Sequence, residues 1–158
     1  MSKQKYWLFK TEPTVFSVDD FVSEPKQTTL WEGVRNYQAR NYLRDEVNVG
    51  DLAFIYHSNS KSAGIAGIMK VVKPAYPDFT AFDRSNQYFD PKSKLDAPTW
   101  YMVDVQLLEK FPQLVSLERI KATPTLKEMV LVKNSRLSIQ PVTKSEFKVI
   151  EKLAKAIR

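Results

Sequence analysis

Cysteine is absent from the 158 residues, which removes disulfides, thiolate metal sites and cysteine nucleophiles together. Histidine occurs once, at position 57, so a zinc site would have to be assembled from carboxylates around a single imidazole. No metal is expected, and no cofactor either. The chain has no Walker A loop and no GxGxxG turn, the signatures that hold nucleotides at a helix start. Glycine is down to four residues, and Gly64-x-x-Gly67 reads as a close strand crossing or bulge rather than a nucleic-acid clamp. No apolar run is long enough for a secretory signal or a membrane span, so a cytoplasmic location without a membrane partner is expected. Repeats and low-complexity tracts are missing as well, which argues against a solenoid or a disordered tail.

What the chain has in surplus is positive charge. Lys and Arg number 24 against 18 Asp and Glu, a formal charge of +6. That favours anionic partners such as nucleic acid, although an ordinary basic protein has the same balance. The length suits one domain, 1–158, able to bury a core without staples.

The apolar pattern reads mainly in strands. "YWLFK" (6–10) is short, aromatic and closed by Pro13. "DLAFIYH" (51–57) follows a Gly50-Asp51 turn, with Leu52, Phe54 and Tyr56 alternating against Ala53, Ile55 and His57. "GIAGIMKVVKP" (64–74) is a third strand, expected to stop at Pro74. "TWYMVDVQLLEKF" (99–111) is the longest, with Tyr101, Val103, Val105 and Leu107 on one face. Residues 75–98 are rich in Pro, Asp and Ser yet carry Tyr76, Phe79, Phe82, Tyr88 and Phe89. A linker would not hold so many rings, so this segment is expected to fold onto the body.

Helix starts are marked by caps. Ser17 with Asp20, and Thr143 with Glu146, have capping-box spacing, and Asn36 can cap "YQARNYLRDE". In that stretch Ala39, Tyr42, Leu43 and Val47 share a core face, leaving Tyr37, Arg40, Asn41 and Arg44 on another. In the final helix Phe147, Ile150, Ala154 and Ile157 share a face that should lid the sheet. Strands joined by irregular segments point to an α+β or small-barrel domain with helices packed outside.

Chemistry is narrowed by elimination. His57 and Ser58 are neighbours in an extended run and point apart, so a Ser-His hydrolase lacks its geometry. The carboxylates Glu12, Asp19, Asp20, Glu32, Asp83, Asp90 and Asp104 are scattered, with no pairing visible in their spacing. What remains is aromatic and basic: Trp7, Trp31, Tyr37, Tyr56 and Trp100 beside Lys10, Arg35, Arg40, Arg44 and Arg136. Stacked bases and cation-held phosphates are how nucleic acid is gripped, with stacking contributing ~1–3 kcal/mol per base. Core filling is the competing use of the same rings. Polar residues at element ends, among them Glu12, Ser58, Asn59 and Gln140, suit the edge of a ligand.

Six spaced motifs give a more specific reading. "YWLFKTEP-x-x-FS-x-DD" (6–20), "WEGVRNYQARNYLR" (31–44), "VGDLAFIYHSN" (49–59), "GIAGIMKVV" (64–72), "WYMVDV" (100–105) and "SRLSIQPV" (135–142) together resemble the EVE domain family of the PUA-like group. The resemblance implies a PUA-like small curved β-barrel with flanking helices, related to YTH domains. It implies a non-enzymatic reader that takes a modified base of DNA or RNA into an aromatic cavity; a monomer is expected. Carried onto matching positions, the site draws on Trp7, Lys10, Trp31, Arg35, Asn36, Tyr37, Tyr56, His57, Ser58, Trp100, Arg136 and Ser138. Arg40 and Arg44, basic and on the presented helix face, are the candidates for holding phosphates at the mouth. Two other readings stay open at this point. One is an enzyme acting on nucleotides or RNA with His57 or a carboxylate as acid/base. The other is a protein-interaction module that docks through residues 76–89.

Overall fold

The computed structural model describes residues 4–59, 61–133 and 136–156. Six strands form one mixed sheet: β1 (Tyr6–Thr11), β2 (Thr28–Leu30), β3 (Leu52–His57), β4 (Gly64–Pro77), β5 (Tyr101–Ser116) and β6 (Ile139–Val142). Their hydrogen-bonded order is β2-β5-β4-β3-β1-β6. Only β1 and β3 run parallel among these pairs; the rest are antiparallel.

The alternation in β3 explains why the sheet is covered on both sides. Ala53 and Ile55 enter one core with Trp7, Phe9, Phe21, Trp31 and Leu43. Leu52, Phe54 and Tyr56 face the other, with Leu8, Ile65, Phe111 and Phe147. Each fully buried side chain of this size stabilises the fold by about 1.5–3 kcal/mol. On the first face lie α1 (Val18–Val22) and α2 (Tyr37–Asn41), the latter continued by a π-helical turn at Tyr42–Glu46. The second face is closed by α3 (Leu117–Lys121), α4 (Val130–Lys133) and α5 (Lys144–Ala156). Phe147 of α5 stacks on Phe54 with centroids 4.2 Å apart. Ile157, expected on the same helix face, lies outside the described residues.

The helix starts follow their caps. Ser17 accepts from the Asp20 N–H while Asp20 reaches back to the Ser17 N–H, and Thr143 and Glu146 make the same reciprocal pair. Asn36 Oδ1 accepts from the Ala39 N–H at 2.9 Å.

Two expectations need correcting. β4 runs past Pro74 to Pro77, because the β4–β5 pairing shifts register between Lys73 and Tyr76, where a missing N–H is tolerated. The barrel is not closed: β2 and β6 are the two edges of the ladder, and no pairing joins them among the described residues. What the structure shows is a mixed sheet with flanking helices. Repeated register shifts along β4 and β5 bend it. Gly67 permits one such close approach, since a Cβ there would strike the Glu109 carbonyl oxygen.

Candidate functional site

A cavity of about 670 Å³ opens where the two edges of the bent sheet face each other without pairing. From one edge come Lys10 and Thr11 of β1 with Arg136 and Ser138 just before β6. From the other come Thr29 and Leu30 of β2 and the segment Trp31–Val34 that leaves it. Phe16, Ser58, Asn59 and Tyr88 complete the wall. Its size lies within the range of pockets that hold a small ligand or a single base.

Trp31 is fixed from the backbone outward. Its amide donates to Val103 O at 2.8 Å, and its indole packs near Phe9 and edge-on to Phe16, at 5.6 and 6.3 Å between centroids. The ring is 6% exposed, so it is at once core and wall. Tyr88, also in the wall, lies over Gly33, two residues on from Trp31. Gly33 has φ +85°, and a Cβ there would fall 2.5 Å from the Tyr88 ring, so glycine is required twice over. Burial pushes the Tyr88 phenol above its ordinary pKa.

Arg35 holds that part of the wall in place without lining the cavity. Its guanidinium donates to Tyr88 O at 2.6 and 3.2 Å and to Asp78 Oδ2 at 3.0 Å. Asp78 is fully buried and also accepts from the Gly33 and Thr80 N–H groups and the Thr80 hydroxyl. Segment 78–99 is thereby pinned to 33–35, which is how a long loop becomes part of a rigid site.

The structure brings five of the expected residues to the cavity: Lys10, Trp31, Ser58, Arg136 and Ser138. Burial lowers the Lys10 pKa, and its Nζ sits 5.6 Å from the Tyr56 ring centroid. Arg136 is exposed at the rim. The other expected residues lie elsewhere. Trp7 is in the core, its Nε1 donating to buried Asp51 at 2.9 Å. Tyr56 belongs to the second core, and Asn36 is a helix cap. His57 Nε2 accepts the N–H of Val18 at 3.1 Å, serving the start of α1.

Trp100 and Tyr37 form a separate outer stack, 5.1 Å apart. The Trp100 Nε1 donates to Asp90 at 2.6 Å, while Tyr37 is 63% exposed. Arg40 lies 5.1 Å over Tyr37 and donates to Thr99 O. Arg44 pairs with Asp45 at 2.8 Å on the exposed side of the π-helical turn that follows α2.

Phe16, Glu32 and Tyr88 line the cavity and were absent from the set carried over by resemblance. For Tyr88 a signal existed in the unexplained rings of the long loop. For Glu32 there was none, because a carboxylate's surroundings are not written in its spacing.

Known proteins share this fold. A family model described as EVE domain matches residues 5–153. Thymocyte nuclear protein 1 of Homo sapiens is 48% identical over 159 residues, covering 90% of this chain and 70% of that protein. The crystal structure of human THYN1 protein in complex with 5-methylcytosine containing DNA is similar with a TM-score of 0.92. The identity there is 46%, over 96% of this chain and 98% of that one. A YTH domain of Zygosaccharomyces rouxii, solved with N6-methyladenosine RNA, shares the fold alone: TM-score 0.55, 15% identity, covering 99% of this chain and 90% of that one.

Proposed function

The chain belongs to the EVE domain family, and from that membership and its cavity we propose that it captures a 5-methylcytosine extruded from DNA, without catalysing a reaction on it. The carrying observation is the 670 Å³ cavity whose wall includes the rings of Trp31 and Tyr88, in a chain so similar to one solved with 5-methylcytosine containing DNA. Extrusion costs a few kcal/mol, recovered by stacking against the rings and by hydrogen bonds to the base edge.

On this reading the whole chain, 1–158, acts as one monomeric domain, and the PUA-like barrel is a sheet left open at one seam so that a base can enter. Lys10, Trp31, Ser58 and Ser138 face the base, Arg136 holds a flanking phosphate, and Arg40 and Arg44 meet the backbone further out. None of the described helices is long and apolar enough to cross a membrane, and the place of work follows the DNA. The vertebrate relatives are named as nuclear proteins.

The test is binding of otherwise identical duplexes with cytosine or 5-methylcytosine. Wild type should prefer the methylated duplex, and Tyr88→Ala should lose about 1–3 kcal/mol of that affinity, with folding checked by melting. The backbone carbonyl that Arg35 holds survives this change. Equal affinity of wild type and Tyr88→Ala for methylated DNA would remove the cavity from the mechanism.

A further inference from the structure

Glu32 is a group that base capture alone does not explain. It lines the cavity half-buried, and its carboxylate makes no hydrogen bond or ion pair among the described residues. Glu12, also in the cavity wall, is engaged with Asn59 Nδ2 at 2.7 Å, and Asp78 is neutralised by Arg35 at 3.0 Å. Burial, then the charges of Asp78 and Glu24, push the Glu32 carboxyl above the ordinary glutamate range. An unpaired acid there costs stability in the free protein and repels a polyanion. That cost is offset if the carboxylate finds its donor on the ligand.

A carboxylate only accepts. Cytosine and 5-methylcytosine present an amino donor at C4, where thymine presents a carbonyl. Thymine and 5-methylcytosine share the ring size and the 5-methyl group, so stacking and apolar contact cannot separate them. Hydrogen-bond polarity can, because a carbonyl set against a carboxylate leaves two acceptors opposed.

We propose that Glu32 is a specificity-determining residue that accepts a hydrogen bond from the exocyclic amino group of the captured base, so that the cavity admits 5-methylcytosine and rejects thymine. This rests on the base-capture reading above.

The test titrates the full chain with labelled single-stranded DNA carrying, at one position, 5-methylcytosine, thymine, 5-methyl-2-pyrimidinone or an abasic site. Single strands remove the unpairing cost, and the pyrimidinone removes the amino group without altering the protein. Wild type should bind the 5-methylcytosine strand about tenfold tighter than the thymine or pyrimidinone strands. Glu32→Gln, whose amide both donates and accepts, should bring 5-methylcytosine and thymine within about twofold of each other. It should melt no lower than wild type at pH 7, since the fold already disfavours the charged carboxylate. Equal wild-type affinity for 5-methylcytosine and thymine, with both above the abasic strand, overturns the role of Glu32 and leaves base capture standing. Equal affinity for all four strands overturns both. A tenfold preference that persists in Glu32→Gln overturns the assignment to this residue.

Discussion

His57 shows how one residue's chemistry is decided by its neighbour. Because its Nε2 accepts the Val18 N–H, the imidazole is neutral, with its proton on Nδ1. Burial holds its pKa below the ordinary value, and the charge of Asp19 opposes this less strongly. The sign follows: the unfolded chain takes up a proton first as pH falls, so the stabilisation is complete above about 6.5 and drains away through the lowered folded value. Protonation also leaves the first amide of α1 without its acceptor. Melting temperature should therefore fall as pH drops below about 6.5 in wild type, and fall less in His57→Gln. Glu32, whose pKa moves the other way, stabilises the fold as it protonates, so the comparison with the variant isolates the imidazole. Identical pH profiles would show that the helix start does not depend on this contact. The same bond accounts for the lone histidine without acid/base catalysis.

At the scale of elements, the segment 78–99 is fastened at its start by the Arg35–Asp78 pair and the Gly33 amide, with Trp100 donating to Asp90 and Arg40 to Thr99 O further along. Asp78 is wholly buried and Arg35 largely so, and removing one partner of such a pair costs about 3–5 kcal/mol by leaving the other uncompensated. Asp78→Ala should lower stability by that order, release Tyr88 from Gly33, and expose the segment to limited proteolysis. Resistance to protease equal to wild type would mean that other contacts hold the loop. This fastening was not legible in the sequence, where Arg35 had Glu32 and Glu12 as nearer candidates and Asp78 stood 43 residues away. The same distinction between local and distant causes runs through the fold. β1, β3, β4 and β5 announce themselves by period and flanking turns, and α1, α2 and α5 by their caps. β2 and β6 have three and four residues, too few to carry a period, and exist because β5 and β1 pair with them. Those two short edges frame the cavity. Lys10, Trp31 and Arg136 were therefore legible as aromatic and basic residues of the site, whereas the division between wall and core is set by where the edges fall. Trp7 and Trp31 both read as candidate walls, yet one serves Asp51 and the other borders the seam.

For the whole molecule, the question is how a net charge of +6 is laid out around one opening. From the cavity wall a chain of stacked and cation–ring pairs runs outward, Tyr88 to Arg35, Trp100, Tyr37 and Arg40, each step 5.1–5.5 Å. The path is no longer than roughly 21 Å, about six base pairs of B-DNA at its axial rise, so rim and outer stack fit within one footprint. The arginines proposed to meet DNA are not equivalent. Arg136 makes no ion pair among the described residues and can take a phosphate directly, whereas Arg44 must first give up Asp45. Removing one cation that neutralises a phosphate should reduce the slope of log affinity against log salt by about 0.9. Arg136→Ala is thus expected to flatten the slope by nearly one unit and to weaken cytosine and 5-methylcytosine duplexes alike. Arg44→Ala should flatten it less, because the wild-type arginine already spends part of its charge on an exposed carboxylate. Parallel titrations of both variants from about 50 to 200 mM salt, on methylated and unmethylated DNA, separate the two effects. If Arg136→Ala instead erased the preference for the methylated duplex while leaving the slope intact, the arginine would be reading the base rather than the backbone, and the orientation of DNA across the seam would have to be reversed.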